Sequence, residues 1–190
     1  MILRKLVLIK SYFKKMIGAG KRPLKKPHHK IIWSWLGAFS AIYLVSILHT
    51  YLDINTINSS FLVASFGASA VLVYGVPQSE LSQPRNLVGG HLISAFVGIS
   101  VYKYLPLDVS ILSALAVSVS IVVMHYTSTL HPPGGATALI AVIGGDSIHS
   151  LGYEYVIAPI GIGSLILLVV ALLVNNLSSN PKRHYPNYWY

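Results

Sequence analysis

Apolar positions in this chain come in long blocks rather than at a helical or strand period. Four blocks of about 20 residues, 31–52, 87–104, 109–128 and 155–175, are each long enough to cross a bilayer as a helix. Trp33 and Trp35 stand at the start of the first, where indole rings favour the membrane interface. Pro106 and Asp108 punctuate the tight connection between the second and third blocks, and Asn175-Asn176 followed by Pro181 closes the fourth. Two shorter apolar runs fall between these blocks. One extends from Gly67 to Val76 and stops at Pro77; the other extends from Gly135 to Ile143 and stops at Gly144-Gly145. As helices they rise about 15 Å, roughly half the hydrocarbon thickness.

The short runs resemble each other. Phe66-Gly67-Ala68-Ser69-Ala70-Val71-Leu72-Val73 returns 68 positions later as Gly134-Gly135-Ala136-Thr137-Ala138-Leu139-Ile140-Ala141. Short, glycine-interrupted hydrophobic segments at corresponding places in two halves are a sequence pointer to a transporter's binding site. The pattern therefore predicts an all-α membrane protein: a bundle of four long transmembrane helices plus two half-helices, arranged as two helix/half-helix/helix repeats over 31–104 and 109–176. Residues 1–30 form a basic arm and 177–190 a tail. If each half-helix crosses the membrane with the extended chain before it, there are six crossings and the repeats are inverted. If each is re-entrant, there are four crossings and the repeats are parallel. Inversion is favoured, because it puts Arg85 inside and leaves Asp53, Asp146 and Glu154 outside, at the cost of Lys103 outside.

Charge sharpens the membrane reading. Only 10% of residues are charged against 54% hydrophobic, with a mean hydropathy of +0.63; a soluble domain carries about a quarter charged residues. Ten of the fourteen Lys and Arg lie in residues 1–30, where there is no acid. That concentration is a positive-inside signal that keeps the N-terminus, and with it the C-terminal tail, in the cytoplasm of a multi-pass protein of the cell (inner) membrane. Residues 1–20 mix apolar and basic positions as an interfacial helix on an anionic membrane surface does. They are expected to be retained rather than cleaved, and nucleic acid is not expected as a partner. Cysteine is absent, which excludes disulfides and thiolate chemistry.

Candidate chemistry gathers at the repeats. Unpaired amides at a helix N-terminus bind anions, and Gly67-Ala68-Ser69 and Gly134-Gly135-Ala136-Thr137 stand where the half-helices are predicted to begin. Ser69 and Thr137 add hydroxyl donors. In an inverted arrangement the two ends face each other near the midplane and form a site for a small anion; close packing of small residues is the competing explanation. His131-Pro132-Pro133 forces an extended approach to the second half-helix and sets His131 beside its N-terminus, able to hydrogen-bond substrate or carry a proton. His91 and His125 lie in or near spans and are candidates for a pathway or coupling role. Arg85 either draws anions to the vestibule or anchors a helix end. No acid lies deep in a span, which weakens a cation-transport reading. The spacing of His91, His125 and His131 does not support a metal site, and no cofactor is expected.

These residues carry a resemblance. His131-Pro132-Pro133 with Gly134-Gly135-Ala136-Thr137-Ala138, preceded by Phe66-Gly67-Ala68-Ser69-Ala70 and by Gln83-Pro84-Arg85-Asn86 before Gly90-His91, is similar to the HPP family of integral membrane proteins. The resemblance covers about residues 31–176. It implies four transmembrane helices and a membrane transporter, with nitrite the first substrate to try, since cyanobacterial and plastid members are associated with nitrite transport. Glu80 stands where many relatives have proline, which weakens transfer of that loop's role.

The expected function is thus a transporter or channel for a small inorganic anion, acting in the lipid bilayer, with a homo-oligomer as a possible assembly. The alternative is a membrane-embedded structural or regulatory subunit without transport activity. An enzyme is not expected: Ser69 with His131 is the only nucleophile–base pairing, and no carboxylate nearby in sequence orients the histidine.

Overall fold

In the computed structural model, residues 10–16, 20–22, 24–51 and 56–190 are described, and among them the chain is helical with no strand. Asp53 and most of the expected interfacial segment lie outside the described residues; residues 10–15 of that segment are helical and exposed. Six helices build the bundle: α1 (His28–Tyr51), α2 (Thr56–Gly75), α3 (Gly90–Tyr104), α4 (Val109–Tyr126), α5 (Pro132–Ile143) and α6 (Ile162–Leu177). Three stretches among the described residues, His28–Leu48, Val109–Tyr126 and Val156–Leu177, are long and apolar enough to cross a membrane.

Local chemistry sets the ends. The Asp108 carboxylate caps α4, accepting from the amides of Ser110 at 3.0 Å and Ile111 at 3.2 Å. Pro132 and Pro133 occupy the first turn of α5, where a missing N–H costs least, and His131 before them is extended with φ −139 and ψ 104. Gly144 and Gly145 end that helix, and Gly145 takes φ 71, a conformation open to glycine. At 12 residues α5 rises about 18 Å, so it is the short helix the sequence predicts. Both α3 and α6 open on a π turn, Arg85–Gly89 and Val156–Gly161 respectively.

The first half-helix differs from expectation. Gly67, Ala68 and Ser69 lie inside α2, which runs unbroken for 20 residues from Thr56 to Gly75. One interior glycine weakens a helix by only about 1 kcal/mol and does not start or stop it. The second long block also begins earlier than its apolar run, in the π turn at Arg85.

Neighbouring helices reveal their direction. Ser34 near the start of α1 donates to the Tyr74 carbonyl near the end of α2 at 2.7 Å, so these two run antiparallel. α2 and α6 run parallel: a Cβ on Gly163 would run into the Phe66 ring, and Asn175 donates to the Val73 carbonyl at 3.2 Å. α3 and α5 also run parallel and nearly touch. A Cβ on Gly98 would sit 2.6 Å from the Ala138 carbonyl oxygen, and one on Gly90 would sit 2.5 Å from the His131 Cβ. In lipid, such small-residue contacts and interhelical hydrogen bonds replace the hydrophobic drive of a soluble core. The start of α1, the ends of α2, α4 and α6 and the approach to α3 meet at one face, here called the basic face.

The segment around Tyr185 packs onto the bundle. Tyr185 is 2% exposed, and its hydroxyl donates to the Ser82 carbonyl at 2.8 Å. Its amide donates to the Asn176 side chain at 3.0 Å, fastening 181–187 across the basic face.

Candidate functional site

The polar loop between α2 and α3 prepares the site. Gln83 donates to the carbonyls of Pro77 at 3.0 Å and Ser79 at 2.9 Å, tying the loop to itself. Arg85 donates to the Thr127 carbonyl at 2.7 Å, and Asn86 to the Leu130 carbonyl at 2.9 Å. The extended segment between α4 and α5 is thereby pinned along the start of α3, with His131 turned into the bundle.

Four predicted residues meet there, each with no exposed surface: Ser69 on α2, His91 on α3, His131 before α5 and Thr137 on α5. His131 Nδ1 lies 2.7 Å from the Leu81 carbonyl oxygen. A carbonyl only accepts, so Nδ1 carries the proton and Nε2 of the neutral ring accepts. The Ser69 hydroxyl, 2.9 Å away, therefore donates to His131 Nε2. With its one proton spent, Ser69 Oγ accepts from His91 Nε2–H at 2.7 Å. His91 Nδ1 is then an acceptor, and the Thr137 hydroxyl donates to it at 2.7 Å. With both rings neutral, one carbonyl thus sets the direction of four hydrogen bonds and both tautomers.

The surroundings tighten this chain. The His91 ring lies 5.1 Å from the His131 ring and 5.1 Å from the Phe66 ring, centroid to centroid. The buried Tyr155 hydroxyl donates to the Thr137 carbonyl at 3.1 Å. All the acids among the described residues, Glu80, Asp108, Asp146 and Glu154, are exposed, so no carboxylate joins the cluster.

The hydroxyls also have second acceptors one turn back along their helices: the Ser65 carbonyl lies 3.3 Å from Ser69 Oγ, and the Pro133 carbonyl 3.4 Å from Thr137 Oγ1. If His131 takes up a proton at Nε2, it becomes the donor, and the Ser69 hydroxyl turns to Ser65. If His91 is protonated instead, Thr137 turns to Pro133. Either imidazole can therefore hold a proton without stranding a buried donor.

Other expectations take a different shape. The helix-end amides do not form the predicted anion cradle. Those of Gly67 and Ala68 belong to the interior of α2, Pro132 and Pro133 have no N–H, and the Gly134 amide donates to the His131 carbonyl at 2.8 Å. The two prolines that force the extended lead-in also delete the donors. Gly134 is a packing residue: a Cβ there would meet Ser94 Oγ at 2.7 Å and the Gly90 carbonyl oxygen at 2.9 Å. Gly135 and Ala136 are half-buried beside it. His125 is exposed on α4, apart from the cluster. Arg85 is exposed too, and its hydrogen bond to Thr127 makes it a fastener. The Leu81 carbonyl and Tyr155 were not anticipated. A main-chain acceptor leaves no trace in sequence, and Tyr155 looked like the start of a span.

The family described as "HPP, transmembrane region" matches residues 23–186. Two curated proteins of Dictyostelium discoideum, each described as a transmembrane protein, are similar to this chain. One is 44% identical over 184 residues and the other 45% over 186. Each alignment covers 95% of this chain but only 58% and 64%, respectively, of those longer relatives. No solved structure matches.

Proposed function

The chain belongs to the HPP family of integral membrane proteins, and on that premise we propose that it transports a small inorganic anion, with nitrite the first candidate. The observation that carries this reading is the continuous Thr137–His91–Ser69–His131 chain, fully buried among apolar helices and free of acids. Buried polar groups in a membrane protein are costly and mark substrate pathways. This cluster offers hydroxyl and imidazole donors but no fixed charge. An anion arriving alone would meet a neutral, low-dielectric site; an anion arriving with a proton on one imidazole keeps the pair neutral. The reading is therefore proton-coupled anion movement, with side chains rather than helix-end amides as ligands.

Access fits alternating rearrangement of two inverted halves, α1–α2–α3 and α4–α5–α6. Support comes from the packing pairs: α1 lies on α2 as α4 lies on α5, α1 on α6 as α4 on α3, and α2 on α6 as α5 on α3. Ser69 and Thr137 are equivalent under that relation, and His91 joins them. The basic face would be cytoplasmic on the positive-inside rule, in a cell (inner) membrane.

The test is nitrite uptake by proteoliposomes of the purified protein, with nitrate, formate, chloride and bicarbonate as competitors and an acid-inside or acid-outside gradient imposed. Saturable uptake driven by the proton gradient and lost in Ser69→Ala is expected. No flux of any of these ions through protein shown to be folded would refute transport and favour the membrane-embedded subunit.

A further inference from the structure

At the basic face, away from the cluster, a cavity of about 430 Å³ opens between the start of α1, the end of α2 and the turn Pro181–Arg183. Lys26, Lys30, Lys182 and Arg183 line it, and no acid does. Glu80 follows the lining residue Ser79 in sequence but is not itself part of the wall.

Part of this charge is already engaged. Lys26 donates to the Gly75 carbonyl, and Arg183 donates to the Tyr74 carbonyl at 2.8 Å, so both cap the carbonyl end of α2. Arg183 also reaches the Lys30 carbonyl at 3.2 Å and Ser34 Oγ at 3.3 Å. A helix C-terminus carries only about half a negative charge, which leaves four cations far from balanced. Two ammonium groups remain unspent. Among the described residues, those of Lys30 and Lys182 make no hydrogen bond, and both residues line the cavity. Arg183 is 4% exposed and its guanidinium is turned to the carbonyls that it caps, so it adds charge to the wall without a donor free for a ligand. Two ammonium groups with no counter-charge in the wall are an arrangement that a multi-oxygen anion would balance.

We propose that this cavity binds a phosphate group, and that its source is the headgroup of an anionic phospholipid. The cavity lies where the start of α1, the end of α2 and the turn Pro181–Arg183 converge, and the ends of membrane-spanning helices lie near the headgroup region of a bilayer. Basic pockets between transmembrane helices take such headgroups. The lysines act as point charges around the phosphate oxygens, and the buried Arg183 guanidinium adds to the positive field. The inference rests on this cavity alone and stands whether or not the chain transports an anion.

The test is thermal unfolding of the delipidated full chain in detergent, titrated with short-chain phosphatidic acid, phosphatidylglycerol, phosphatidylcholine or inorganic phosphate. The anionic lipids should raise the midpoint saturably, by about 5 °C at a concentration well above the dissociation constant. Phosphatidylcholine should not. The double variant Lys30→Gln/Lys182→Gln should fold normally, because neither ammonium group makes a hydrogen bond in the structure, and its apparent affinity should fall at least about tenfold. An equal shift in wild type and double variant would overturn the site. An equal shift with inorganic phosphate alone would overturn the lipid assignment.

Discussion

Replacing Ser69 with alanine removes one oxygen and breaks the central link of the buried chain. His91 Nε2–H loses its acceptor and His131 Nε2 loses its donor, and both side chains have no exposed surface through which water could substitute. A typical interhelical hydrogen bond in a membrane protein contributes only about 0.6 kcal/mol, because the unfolded chain in the membrane finds other partners. Stranding a buried polar group is more serious, at about 1–3 kcal/mol each. Two stranded groups give about 2–6 kcal/mol for Ser69→Ala. For a chain of this size each kcal/mol lowers the midpoint by about 2–4 °C, so a drop near 10 °C is expected in a thermal scan of the detergent-solubilised protein. Ser69→Cys, with its weak S–H donor, should fall between wild type and alanine. A double-mutant cycle of Ser69→Ala with His131→Ala should return a coupling of about 0.5–3 kcal/mol. A midpoint within about 1 °C of wild type, or a coupling of zero, would mean that the two histidines are not joined through Ser69, and the tautomer assignment would fail with it.

Neighbouring glycines should separate cleanly. Gly134→Ala drives a Cβ to 2.9 Å from the Gly90 carbonyl oxygen and should destabilise by about 1–3 kcal/mol, whereas Gly135→Ala, whose nearest contact is Val117 at 3.7 Å, should be nearly silent in the same thermal scan. Gly67→Ala has no atom within 4 Å and sits inside α2, so it should stabilise by roughly 0.5–1 kcal/mol; a loss of stability would argue for the half-helix start that the sequence suggested. Thr137→Val keeps the shape but removes the hydroxyl that serves His91 Nδ1, so proton-gradient-driven uptake in proteoliposomes should fall more than counterflow exchange measured without a gradient. Asp108→Ala removes the α4 cap and should lower stability by about 1 kcal/mol without changing flux, which uptake and unfolding measured on one preparation will check.

The sequence was most informative where an element is punctuated by chemistry of its own. Pro132-Pro133 and Gly144-Gly145 bracket α5, and Asp108 marks the start of α4, because caps and breakers act locally. α2 was cut short because Thr56, Asn58, Ser59 and Ser60 dilute its hydropathy and Gly67 imitates a boundary. Hydropathy measures preference for lipid, whereas helix continuity depends on main-chain hydrogen bonds that a single glycine leaves intact. Burial of Arg183 has no sequence sign for a related reason: it comes from bonds to the carbonyls of Lys30 and Tyr74, and carbonyl positions have no sequence signature.

The repeat points to residues that the structure brings together, through side chains rather than main-chain amides. Glycine-rich helix starts suggested main-chain amides around an anion, yet the prolines that shape α5 take two of those amides away. What the two halves share at the meeting point is a hydroxyl, Ser69 on α2 and Thr137 on α5, with His91 between them and His131 at one end. Amide ligands impose a permanent partial charge, whereas imidazoles acquire charge only with a proton. A site built from the second kind is neutral when empty and can bind an anion only by taking up a proton or accepting an electrostatic penalty. The glycines then serve packing instead, since Gly90, Gly98 and Gly134 let α3 and α5 approach closely enough for the side chains to meet. On this argument the repeat preserves helix separation and a hydroxyl at each equivalent point, and any coupling between anion and proton follows from the histidines placed between them.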